Sequence, residues 1–249
     1  MSTKFTAGLA DFLQARGSFK EALQDTVVNF YTGPQPSGPD VPATGTLVGV
    51  ATLQSGALTP GAKSVRQVDE CTVTYGTDGN VYALVVNGTS YSYTSVSGND
   101  ASAVAVALAA LVDTSNVVSA VAHGTSVVTR ARFGGNAVTL ANTGTTTPGN
   151  LVITNKVANS RLNGLQWGAS SGGVLSKESG SWSFVALASG TIGYARICAS
   201  NDSNGSNTTA IRVDMNASTS NAPITLSNVN VTSGMTVTID SATFTQPLQ

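Results

Sequence analysis

The sequence predicts a mainly β protein: a β-sandwich built from both chain ends, with short N-terminal helices and an inserted small α+β domain. Three observations predict it. Charged residues make up 10% of the 249, far below the usual quarter, and Thr, Ser, Gly, Ala, Val and Asn, the residues of strands and turns, fill the length instead. Most apolar runs alternate with small polar residues, the period of a sheet that hides one face and wets the other. Helical spacing is confined to the first 24 residues and to 101–112.

In chain order, Phe5, Leu9, Phe12 and Leu13 recur at helical spacing and form one apolar stripe, which Gly17 breaks. Ser18-Phe19-Lys20-Glu21 matches a capping box and starts a second short helix through Leu23 or Gln24. Thr26 to Tyr31, β-branched and aromatic, reads as the first strand. Residues 33–45 hold four prolines and three glycines, which exclude regular structure. They form either a surface loop between strands or a subunit-contact arm. Leu47 to Leu53 is the second strand.

The composition changes near Val65. Val81 to Val86 and Ser90 to Thr94 flank Asn87-Gly88, a type I′ hairpin signal. Asn99 and Asp100 cap a helix over Ala101–Val112, with Val104, Leu108, Leu111 and Val112 on one face. Val117 to Ala122, Ser126 to Arg132, Ala137 to Leu140 and Val152 to Thr154 read as further strands. After Arg161 the chain returns to turn-separated strands around Trp182 to Leu187, Ile192 to Cys198, Ala210 to Met215, Ile224 to Val231 and Met235 to Phe244. Residues 68–160 are therefore read as an α+β module inserted into a β domain made of 1–67 plus 161–249, because the N-terminal piece supplies too few strands to stand alone.

The charge pattern excludes several classes of function. A net charge of −1 with twelve scattered basic residues does not fit nucleic-acid binding, which needs clustered Lys and Arg. No run approaches 18 apolar residues, so no membrane helix is expected, and no apolar segment of a secretory signal follows Met1-Ser2-Thr3-Lys4. Cys71 and Cys198 are far apart and lack any Cys/His spacing, so no metal site is expected and two buried free thiols are the plain reading. Asp78-Gly79-Asn80 has the alternation of a calcium loop but no following acidic ligands, and reads as a turn. His123, the single histidine, lacks an identifiable orienting carboxylate, and Asp69-Glu70 would face opposite sides of a strand. No catalytic residue and no cofactor is therefore expected.

Several segments resemble a group of tailed-bacteriophage virion proteins. They are Gly8-Leu9, Gly17 to Leu23 (GSFKEAL) and Phe30 to Pro36 (FYTGPQP) at the start. Towards the end they are Lys177, Gly180 and Trp182, then Gly193-Tyr194-Ala195-Arg196, then Met235 to Ser241 with Phe244. The middle, Val85 to Thr94 (VVNGTSYSYT) before an alanine-rich helix, is similar to a module of phage tail and other virion proteins. The resemblance implies a non-enzymatic structural component of head, neck or tail, made in the host cytoplasm and residing in the virion, with no catalytic residue to carry over.

Assembly is the activity that composition favours. A low-charge surface promotes association, so a homo-oligomer contacting other virion proteins is expected. Phe5, Leu9, Phe12, Leu13, Phe19 and Tyr31 are the candidate interface residues, since the N-terminal aromatics exceed what a small sandwich covers. On this reading, deletion of residues 2–16 would leave the fold and abolish incorporation. The alternative is a host-adhesion module binding cell-surface carbohydrate through Trp167, Trp182, Tyr31 and Tyr194, for which core or interface packing is the plain reading. A glycan hydrolase, third, would need a carboxylate pair in a cleft, and the thirteen acidic residues show none.

Overall fold

Alternating Val, Thr, Ile and aromatic residues form strands along most of the chain. The computed structural model describes residues 3–75, 77–144 and 151–245. The chain opens with β1 (Lys4–Phe5), α1 (Ala7–Ala15), the one-turn α2 (Phe19–Ala22), β2 (Thr26–Thr32) and β3 (Leu47–Leu53). Its middle carries β4 (Val68–Val73), β5 (Val81–Val86), β6 (Thr89–Thr94), α3 (Ala101–Val112), β7 (Val118–His123), β8 (Ser126–Ala131), β9 (Leu140–Asn142) and β10 (Leu151–Val157). It closes with β11 (Trp167–Ser171), β12 (Val174–Lys177), β13 (Trp182–Val185), β14 (Gly190–Ala199), β15 (Val213–Ser218), β16 (Ile224–Leu226), β17 (Asn230–Val231) and β18 (Thr236–Thr245). Contacts divide the chain into two compact units, Met1–Lys63 with Leu162–Gln249, and Ser64–Arg161.

The first unit is a barrel, which corrects the expected sandwich. Pairing runs β15–β14–β2–β3–β13–β18–β16 and returns from β16 to β15, so seven strands close a ring. The closing contact, Ala217 opposite Ile224, is parallel, while the other pairs of the ring are antiparallel. Closure removes the free edges that two stacked sheets would keep. Inward side chains such as Phe30, Val48, Phe184, Ile197, Met215 and Ile239 fill the interior. Phe30 and Phe184 stack with ring centroids 4.8 Å apart.

The N-terminal segment is part of this core. Thr6 is the N-cap of α1 and its hydroxyl accepts from the Leu9 N–H at 3.2 Å. Phe5 therefore lies before the helix, in β1 opposite Val213, and not on the helical stripe. Ser18 caps α2, its hydroxyl accepting from the Glu21 N–H at 3.1 Å. Leu9 and Leu23 are fully buried in the barrel core, with Phe12 and Phe19 packed against it. Burying one such leucine contributes about 1.5–3 kcal/mol.

The second unit lays α3 against its strands. Order β10–β4–β8–β7 makes one sheet and β6–β5–β9 another. Asp100 caps α3, accepting from the Ala103 N–H at 2.8 Å. Val104, Leu108 and Val112 are buried, whereas Leu111 is 38% exposed, one residue round the helix from the expected face. Asn87 (φ 47°) and Gly88 (φ 85°) form the two-residue turn between β5 and β6, as a type I′ hairpin requires.

Candidate interaction surface

Two buried arginines, Arg196 on β14 and Arg212 immediately before β15, anchor an extended polar arrangement. On β14, Ala195 and Ile197 point into the core, which turns Tyr194, Arg196 and Cys198 outward. On β15, Val213 and Met215 point inward and Asp214 outward. Register sets Arg196 directly opposite Asp214. These outward residues are nevertheless buried, because the loop 33–45 and the turn 200–209 fold over them through the bonds described next.

Arg196 grips Asp214 with two bonds, Nε to Oδ1 at 2.7 Å and Nη2 to Oδ2 at 2.8 Å, and both partners are fully buried. Its remaining donors reach the Val41 carbonyl at 3.2 Å. Arg212 grips Asp202 likewise, at 2.8 and 2.6 Å, and donates from Nη1 to the carbonyls of Pro39 at 3.0 Å and Gly205 at 2.7 Å. Lys4 donates to the carbonyls of Pro36 and Ser37 at 2.9 and 3.0 Å. The Tyr194 hydroxyl accepts from the Thr44 N–H and donates to the Thr44 carbonyl, each at 2.9 Å, and its ring stacks on Tyr31 at 5.2 Å. A loop whose prolines preclude ladder bonding thus has its carbonyls satisfied by cations projecting from the barrel. Gly45, at φ 76°, brings the chain back to β3 where a Cβ would collide with the Thr32 carbonyl.

The electrostatics match this burial. Burial alone would lower the Arg196 pKa, but hydrogen bonds and charge from Asp214 raise it above its ordinary value. Burial pushes Tyr31 up to about 12 and Cys198 up to about 12, so neither is a nucleophile at neutral pH. For Asp202 burial acts upward, yet the Arg212 bonds and the Asn204 N–H outweigh it and hold the carboxyl below its ordinary range. A depressed carboxyl stabilises the fold fully above its unfolded pKa, and that stability is lost as pH falls through the folded value. The melting temperature is therefore expected to drop steeply below about pH 4, and Asp202→Asn to flatten that acid limb. An unchanged acid slope in a pH series of thermal melts would exclude Asp202 as its source.

The six candidate interface residues divide. Phe5 is 48% and Leu13 37% exposed, and both remain available to a partner. Phe12 and Phe19 are partly buried against the barrel core. Leu9 (0% exposed) and Tyr31 (6%) lie inside the unit, so their burial is intramolecular. Deleting residues 2–16 would remove Leu9, Thr6 and β1, so the expectation that the fold survives such a deletion is corrected. Trp167 and Trp182 are also interior, with rings 5.0 Å apart in an edge-to-face pair.

In the second unit, Glu70 accepts from Lys156 at 2.7 Å. Its pKa is lowered first by that bond, then by one from Ser126, with His123 adding a smaller effect. A carboxylate therefore does lie near the histidine. The Ser126 hydroxyl, however, bonds Thr72 at 3.1 Å, and no hydrogen bond joins it to His123 among the described residues. Cys71 is buried and pushed up to about 12 by burial. Among the described residues no group of three or more His, Cys, Asp or Glu side chains could hold a metal ion, and no helix is long and apolar enough to cross a membrane.

The arginine clamps were not among the residues that the sequence singled out as a site. The signal was present: Arg196 and Arg212 each sit between apolar neighbours, in YARIC and IRVDM. No protein-family model matches the chain, and no curated protein matches it in sequence.

Proposed function

We propose that this chain is a non-enzymatic structural component of a bacteriophage virion, assembling with itself and with other head, neck or tail proteins. The observation that carries the reading is the convergence of Lys4, Arg196 and Arg212 on the carbonyls of loop 33–45. Their donors hold a proline-rich loop in one shape before any partner arrives. A preformed loop loses little conformational entropy on docking, so more of its contact energy remains as affinity. Exposed Pro34, Val41 and Pro42 on that loop, with Phe5 and Leu13 of the N-terminal segment, offer a neutral surface of the kind a standard interface of roughly 800 Å² per partner uses. The resemblance to tailed-phage virion proteins supplies the class of partner.

A carbohydrate-binding reading has less support, because the Trp167, Trp182, Tyr31 and Tyr194 rings that would stack on a sugar are buried. The test is cryo-electron microscopy of purified particles. The expected result is density for this chain in repeated, symmetry-related copies with loop 33–45 at a subunit contact. Absence of the chain from purified particles, or a monomer that cleaves polysaccharide, would refute the reading.

A further inference from the structure

The hairpin β5–β6 leaves one sheet edge open. β6 pairs with β5 alone among the described residues, in the order β6–β5–β9. The side on which its main-chain groups point follows from parity. Val86 and Thr89 close the two-residue turn, and the Ser95 N–H donates to the Asn80 carbonyl at 2.9 Å. Odd-numbered residues of β6 thus address β5, and the N–H and C=O groups of Ser90, Ser92 and Thr94 address the open side. All three residues are exposed, while Tyr91 and Tyr93 pack against the core of the unit.

The other edges of this unit are guarded. On β7 the Ala120 N–H is taken by the Asp113 carboxylate at 2.9 Å. β10 carries a bulge between Asn155 and Val157 and the charged Lys156, and the three-residue β9 is tied through Asn142 to the Leu151 carbonyl at 3.1 Å. β6, TSYSYT, has no charge, no proline and no bulge in its pairing with β5. Bulges, charge and proline are the devices that stop edge-to-edge pairing, and β6 lacks all of them.

We propose that β6 is a self-pairing edge, through which two copies of this chain join their three-stranded sheets antiparallel about a twofold axis at Ser92. A second copy fits for three reasons. An uncharged strand meets itself without like-charge repulsion, and the whole chain carries a net charge of only −1. The outward parity is also self-complementary. Ser92 faces Ser92, and Ser90 faces Thr94 on either side, so each exchanges both main-chain bonds. Tyr91 falls opposite Tyr93, an aromatic cross-strand pair of a favourable kind. The pairing rests on the geometry of the second unit and holds whether or not the chain resides in a virion.

Sedimentation equilibrium of the full chain over a wide concentration range tests this. A monomer–dimer equilibrium is expected. Ser92→Pro removes only an outward N–H, which edge strands tolerate, and Ser92→Lys leaves the backbone intact while setting like charges face to face. Each is expected to weaken dimerisation about tenfold or more, with an unchanged melting temperature at concentrations where the wild type is monomeric. Ser92→Cys should link to its counterpart through a short bis-maleimide far faster than Ser90→Cys, because only residue 92 meets its own copy. The native Cys71 and Cys198 are buried. A chain that stays monomeric throughout, dimerises equally with proline or lysine at 92, or cross-links equally from 90 and 92 overturns the proposal. So does an edge that binds an extended segment of another protein while the chain remains monomeric.

Discussion

Arg196→Met is expected to destabilise the barrel unit by about 3–5 kcal/mol, because it strands the Asp214 carboxylate without its partner in a fully buried site. The Val41 carbonyl loses two donors in the same substitution, so loop 33–45 should loosen as well as the barrel wall. Urea unfolding followed by tryptophan fluorescence reads the effect, since Trp167 and Trp182 both lie in this unit. The double variant Arg196→Met with Asp214→Leu separates pairing from packing. Removing both charges takes away the buried ion along with its partner, so the double variant is expected to recover much of the loss. A single variant within about 1 kcal/mol of the wild type would mean that Asp214 finds other solvation and that the clamp does not hold the loop. Arg212 repeats the design with Asp202 and the Pro39 carbonyl. The two clamps grip one loop, so their losses should not add.

Local features of the fold were legible where a few adjacent residues decide them. Asn87-Gly88 specifies its turn because both residues tolerate positive φ. Ser18 reads as a cap because its hydroxyl reaches the N–H three residues on, and the uncharged stretch behind Asp100 reads as helix to Val112. What the sequence left unread depends on distant partners. Alternation says which side of a strand is hidden but not which strand lies beside it, so it does not distinguish the ring closed by Ala217 and Ile224 from two stacked sheets. The same gap hid the clamps. A charged residue on the outward face of a strand ordinarily meets water, and only the loop lying over β14 makes Arg196 a buried residue. Leu9 shows the converse: its place in an apolar stripe is legible, but a stripe fits a docking element as well as a core element, because nothing local shows that α1 completes the barrel core. The unit boundaries of the structure fall at 63/64 and 161/162, against 67/68 and 160/161 from the change in composition.

Trp182→Ala is expected to cost about 3–5 kcal/mol, at the upper end of that range, because Trp182 anchors a relay of rings as well as filling volume. Its ring meets Trp167 edge-on at 5.0 Å, Trp167 meets Phe244 at 4.8 Å, Phe244 meets Phe19 at 4.4 Å, and Phe19 meets Phe5 at 5.5 Å. Edge-to-face pairs add about 0.5–1.5 kcal/mol each beyond burial, so removing the innermost ring should loosen α2 and Phe5 as well as the interior. Trp182→Phe discriminates the causes. It keeps a ring in the relay and deletes an indole N–H that has no acceptor among the described residues, so its cost should stay below about 1.5 kcal/mol. Hydrogen exchange then separates the two supports of the barrel. Trp182→Ala should accelerate exchange across 7–23, whereas Arg196→Met should accelerate it across 33–45. Equal acceleration of both segments by either variant would mean that the barrel opens as one cooperative unit and that neither support acts locally.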